Sequence, residues 1–95
     1  MELTLDDALK RAVEAHKKGE VQEADRLYTA ILQVQPKHPD ANHNMGVLGI
    51  SVNQPEQALA FFKTAVEANS GVEQHWISYI NTLINLNQID EAKNA

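Results

Sequence analysis

The sequence predicts an all-α protein, a short solenoid of stacked helical hairpins. Three observations predict it. Residues recur at a spacing of 34: Glu23-Ala24, Gln57-Ala58 and Glu91-Ala92 form one series, Gly19, Asn53 and Asn87 a second, and Tyr28 with Phe62 a third. A fixed period of this length marks supersecondary units that stack on one another. Prolines and turn-type residues fall between the segments of helical periodicity, not within them. No strand-like alternation persists over a useful length.

Each element follows from local chemistry. Thr4 caps a first helix, from Leu5 to Lys18, with Asp6 and Asp7 near its positive end and Lys17 and Lys18 near its negative end. Gly19 is free to take the left-handed conformation that ends it. A second helix runs from Val21 to Val34 and stops before Pro36. Pro39 suits the first turn of a third helix, where no N–H donor is needed, and Asn53 ends that helix after Val52. Pro55 opens a fourth, which reaches Ala68 and is broken by Asn69-Ser70-Gly71. A fifth covers Val72 to Leu86, with Asn87 expected to stop it and Ile89 to begin a sixth. Loops this short force neighbouring helices to pack antiparallel.

Composition bounds the function. Ninety-five residues make one small domain, with about 5–15 kcal/mol of stability at most. There is no cysteine, which excludes disulfides and thiolate zinc sites. Met1 to Lys10 has neither the basic start nor the apolar run of a signal peptide, and no stretch approaches the ~18–20 apolar residues of a membrane span. The expected setting is soluble and cytoplasmic, with no membrane partner. Net charge is −5 and uneven: residues 39–95 carry six acids against Lys63 and Lys93. Nucleic-acid binding rests on clustered Lys and Arg, so that partner class is not expected.

Aligning 5–38 with 39–72 leaves three identities, Asp6/Asp40, Val13/Val47 and Ala24/Ala58, so the correspondence lies in residue class. Ala12 and Gly46 are small where the helices of a hairpin cross, and Ala24, Ala58 and Ala92 are expected to face them. Tyr28 and Phe62 then fill the space between successive hairpins.

These residues resemble the tetratricopeptide repeat, the 34-residue helix–turn–helix unit of α-solenoids. Its aromatic-x2-Leu-Gly pattern is matched by Asn42-x2-Met45-Gly46 and Trp76-x2-Tyr79-Ile80, its second-helix Ala by Ala24, Ala58 and Ala92, its following aromatic by Tyr28 and Phe62, and its closing Pro by Pro36. The resemblance implies a single domain over 1–95: one repeat at 5–38, another at 39–72 and a partial third at 73–95, about two and a half hairpins in a right-handed superhelix. Arg11 stands where the first unit usually buries Leu, Ser70 replaces the closing Pro, and Ile80 replaces a small residue. The third unit stops part-way through its second helix, so the chain reads as a fragment, the N-terminal repeat region of a longer protein. The run Asp40 to Leu48, with His75 to Tyr79, is similar to repeats that precede transferase domains in bacterial proteins, among them glycosyltransferases like the O-linked N-acetylglucosamine transferases, and sulfotransferases.

In such a stack the first helices line the concave face. The register places Asp6, Leu9, Val13 and His16 there from the first unit, Asp40, His43, Asn44, Val47 and Ile50 from the second, and Gln74, Ile77, Asn81 and Ile84 from the third. Leu9, His43 and Ile77 are expected to be open to the groove; Val13 and Val47 either line it or pack between first helices. A mainly apolar groove suits an amphipathic helix or an extended segment. The resemblance also offers a carboxylate clamp of Lys, Asn and Arg, but the matching positions hold Leu9, Val13, Asn44, Gln74 and Ser78, and only Asn44 fits. It offers as well an Asn ladder gripping peptide backbone, in which Asn44 would be a rung while Lys10 and Ser78 break the series.

Chemistry has no foothold. His38, His43 and His75 lack the converging spacing of metal ligands, no Gly-rich phosphate loop is present, and Ser51, Ser70 and Ser78 lie outside nucleophile-elbow motifs. Neither catalysis nor a cofactor or metal is expected. Trp76 and Tyr79 are expected in the core, the other reading being an aromatic contact at an exposed end. The expected function is a protein- or peptide-binding module. The alternatives are a non-catalytic recognition arm of a transferase, and self-association into a homo-oligomer through Ile77, Ile80, Leu83 and Ile84.

Overall fold

A computed structural model describes residues 4–94, with side chains described as far as Asn87. Five helices follow one another: α1 (Leu5–Lys17), α2 (Val21–Val34), α3 (Pro39–Ser51), α4 (Pro55–Ala68) and α5 (Glu73–Asn94). Among the described residues there is no strand, and the fold is an all-α stack of helical hairpins. α1 packs on α2 and α3 on α4 as hairpins; α2 and α3 join them, and α5 lies on α4.

The helix ends repeat as the sequence does. Thr4 Oγ1 accepts the Asp7 N–H at 3.1 Å and caps α1. The imidazole Nδ1 of His38 does the same for α3, accepting the Ala41 N–H at 3.1 Å, with Pro39 at the first helical position. Gly19 (φ 77°) and Asn53 (φ 60°) are left-handed. Each lies in the same pair of backbone bonds: Glu20 N–H to Ala15 and Gln54 N–H to Gly49, both 2.8 Å, with Gly19 N–H to His16 at 3.0 Å and Asn53 N–H to Ile50 at 3.1 Å. This pair satisfies carbonyls that would otherwise be orphaned at a helix C-terminus.

A second recurring tie joins α3 and α5 each to the loop before it. The buried Asn42 amide donates to Pro36 O at 3.1 Å and to His38 O at 2.9 Å. One repeat later the Trp76 indole N–H donates to Ser70 O at 2.9 Å, across the same six-residue span. Different side chains thus perform the same task of fastening the loop between hairpins.

The core is small residues against aromatics. Tyr28, Phe62 and Ile31 are fully enclosed, with Ala12, Ala24, Ala41, Ala58 and Ala65 around them. The crossing in the second hairpin differs from expectation. A Cβ on Gly46 would overlap the Phe62 ring, whereas Gly49 is the residue against Ala58, and a Cβ there would lie 3.2 Å from that of Ala58. Gly46 therefore makes room for the aromatic, and Gly49 lets the axes approach. The expected counterpart at Ala92 lies outside the described side chains.

Two further expectations are corrected. Asn87 does not stop the fifth helix: α5 continues unbroken to Asn94, and no sixth helix begins at Ile89. Gly19 has glycine's freedom at positive φ, and Asn53 is followed by Pro55, which disfavours helix at Gln54. Asn87 has neither advantage. Trp76 is not core; it is 38% exposed on α5, and Tyr79 is half-buried. The fully enclosed ring at this end is that of His75.

Gly46→Ala is expected to lower stability, since overpacking costs about 1–3 kcal/mol and the gain in helix propensity returns at most about 1 kcal/mol. Urea denaturation should show a lower midpoint, and adding Phe62→Leu should be less harmful than the two changes summed. Strict additivity would mean that Gly46 is not small on account of the ring.

Candidate functional site

The face formed by α1, α3 and α5 gathers most of the sequence-selected residues. Val13, His16 and Asn44 line one cavity of about 360 Å3 together with Lys17 and Tyr28. Val47, Ile50 and Asn81 line another of about 200 Å3, floored by Phe62 and bordered by Ser78 and Thr82. Val47 and Ile50 are 36% and 44% exposed, so this side of α3 offers apolar surface to solvent. Asp6, Asp40 and Gln74 are exposed around it. Leu9 lies elsewhere: it is half-buried against the core cluster of the first hairpin. Ile77 and Ile84 line neither cavity.

His43 lines neither cavity and is half-buried, not simply open to the groove. Its ring stacks on His75, with centroids 4.4 Å apart and planes 22° from parallel, and tilts against Phe62 at 5.4 Å. Its Nε2 pairs with Ser78 Oγ at 2.9 Å. His75 is buried, its Nε2 lies 3.6 Å from the exposed Asp40 carboxylate, and its Nδ1 has no partner. Burial holds the His43 imidazole below the ordinary histidine pKa; the His75 ring adds to this, while a hydrogen bond with Asn44 and the Asp40 carboxylate oppose it.

A serine, two imidazoles and a carboxylate in sequence invite comparison with nucleophilic machinery, but the geometry does not support it. The carboxylate lies beside His75, while the serine is held by His43, so no acid orients the ring that would act as base. Ser78 sits inside α5, where backbone N–H groups are consumed by the helix and none is free to hold an oxyanion. Among the described residues no three His, Asp or Glu side chains converge on a metal position. The cluster joins α3 to α5 and satisfies a hydroxyl.

Two other surfaces are apolar. On α5, Trp76, Ile77, Ile80, Leu83 and Ile84 are each 38–49% exposed and run along one side of the helix. The second surface was not foreseen: a cleft of about 310 Å3 between the hairpins, where Val21, Met45, Leu48, Val52 and Phe61 meet. Its sequence signal was weak because each of these residues reads as ordinary helix core. His75 was missed for a related reason, since its counterpart one repeat earlier is the fully buried Ala41.

The tetratricopeptide repeat family model matches residues 39–71, which are hairpin α3–α4 with the start of the following loop. No curated protein matches the chain. Tetratricopeptide repeats generally mediate protein–protein interaction as non-catalytic modules. Among the described residues no helix is long and apolar enough to cross a membrane.

Because the unfolded chain takes up its His43 proton near pH 6.5 and the folded chain only below that, stability is full above that value and falls as the pH drops beneath it. Urea midpoints measured between about pH 7.5 and 5.5 should decrease, and His43→Gln should flatten the decline. A variant with an undiminished slope would assign it to other groups.

Proposed function

We propose that the chain is a protein-interaction module without catalytic activity, and that the face of α1, α3 and α5 receives a peptide segment of another protein. One observation carries the reading: two cavities stand side by side along this face, flanked by the exposed Val47 and Ile50. Apolar anchors entering such pockets dominate peptide affinity. A transferase joined to the same polypeptide would use this face as a substrate-recognition surface, and the groove chemistry would be unchanged.

A second reading is supported by α5. Residues 74–89 contain no Asp, Glu, Lys or Arg, and five large apolar side chains there are exposed. The largest apolar patch on a typical monomer is roughly 300–600 Å2 and is often an interaction site. Two copies could cover this uncharged stretch of α5 in each other.

Peptides selected on the wild-type domain from a phage-displayed random library should bind it, and Val47→Asp should reduce their affinity at least tenfold while circular dichroism keeps its helical signal. Unchanged binding by a helical Val47→Asp domain would refute the groove. For the α5 reading, sedimentation should show a dimer or larger species that Ile77→Asp or Ile84→Asp converts to monomer. A monomer at every concentration tested removes it.

A further inference from the structure

The two cavities on the first-helix face are not independent features. Val13 and Val47, His16 and Ile50, Tyr28 and Phe62, and Asn44 and Ser78 line them in pairs, each pair separated by 34 residues. Each cavity therefore occupies one junction between successive units. A valine and a residue one turn later on the first helix form the wall. The aromatic of the second helix is the floor, and a polar residue from the next unit closes the edge. At about 360 and 200 Å3 each has room for a side chain, towards or below the small end of the ~300–1,000 Å3 of small-molecule pockets.

Shape repeats but chemistry does not. The first cavity is bordered by His16 and by the exposed Lys17, which makes no ion pair among the described residues. The second carries Ile50 where the first has His16, and is otherwise edged by hydroxyl and amide side chains without a charge. A cation at one subsite and an apolar wall at the other select different side chains from a ligand that spans both.

Spacing restricts the ligand's conformation. α1 and α3 are in contact, and packed helices stand about 8–10 Å apart. In a polyproline II chain, with three residues per turn and a rise of ~3.1 Å, residues i and i+3 lie on the same face about 9 Å apart. A β-strand matches less well, because residues three apart point to opposite sides.

We infer that these cavities are paired subsites for an extended, polyproline II-like peptide, the Lys17 subsite taking a carboxylate side chain and the Phe62 subsite an apolar side chain three residues away. The inference rests on the groove reading above and adds the class of partner to it. The carboxylate gains the Lys17 ammonium at an exposed edge, a modest contribution. The apolar side chain gains burial against Val47, Ile50 and Phe62, the larger one.

The test uses capped peptides carrying Leu-Pro-Pro-Asp and, for the opposite chain direction, Asp-Pro-Pro-Leu, titrated into the 15N-labelled domain. One of the two should shift amide resonances around Val13 and Lys17 together with those around Val47 and Ser78. Replacing its Asp by Lys, or inserting one more Pro, should weaken binding about fivefold, the upper range for an exposed ion pair. Lys17→Glu should weaken the acidic peptide and favour the Lys peptide. The subsite assignment is overturned if Lys17→Glu changes neither affinity, or if the inserted Pro has no effect. It is equally overturned if neither peptide perturbs this face while library-selected peptides still depend on Val47. In each case the groove reading survives, because it falls only with the Val47→Asp result on those selected peptides.

Discussion

Close approach between the helices of a hairpin is the constraint on which the rest of this molecule depends. Gly49 sits against Ala58, and Gly46 leaves the space that the Phe62 ring fills. In the first hairpin the equivalent positions hold Ala15 with Ala24, and Ala12 with Tyr28, all buried. When the axes are close, the aromatic of the second helix reaches through to the first-helix face. There it becomes the floor of a cavity as well as a part of the core. Packing and the candidate site are thus two sides of the same ring. A larger residue at Gly46 acts on both.

The pattern that was legible in the sequence was the pattern set by neighbours in the chain. Thr4, Gly19, Pro39, Asn53 and Pro55 act through their own backbone geometry or a bond to a residue a few positions away, and the helix boundaries they mark agree with the structure to within a residue. The aromatic positions Tyr28 and Phe62 were legible because the period places them, and both are buried. Asn87 was misread because residue type alone does not make a stop. Asn53 turns in the company of Pro55, and Asn87 has no such companion.

The candidate face was legible in outline and not in detail. Val13, His16, Asn44, Val47, Ile50 and Asn81, expected there by register, are among the residues that border the two cavities, whereas Leu9, His43, Ile77 and Ile84 line neither. The histidine pair was not foreseen. Burial of His75 depends on α5 lying against α4, and its stacking with His43 depends on the distance between first helices, neither of which has a signal in local sequence. Glycines 46 and 49 were ambiguous for a simpler reason. Both are small, three residues apart and on the same side of α3, so only the packing of the hairpin decides which meets the alanine and which the ring.

The tie between Trp76 and Ser70 gives the molecule an optical property. Trp76 is the single tryptophan of the chain. Its indole N–H is fixed to a loop carbonyl, its ring leans on Tyr79 at 6.2 Å, and part of its surface meets water. An indole held in this way reports on its surroundings through the colour and polarisation of its fluorescence. Loosening of the junction between α4 and α5 would move it towards the emission of free tryptophan in water, and a cover laid over the outer side of α5 would move it towards the blue. The residue that fastens α5 to the loop before it is therefore also an internal gauge of whether that end of the solenoid is closed, frayed or occupied.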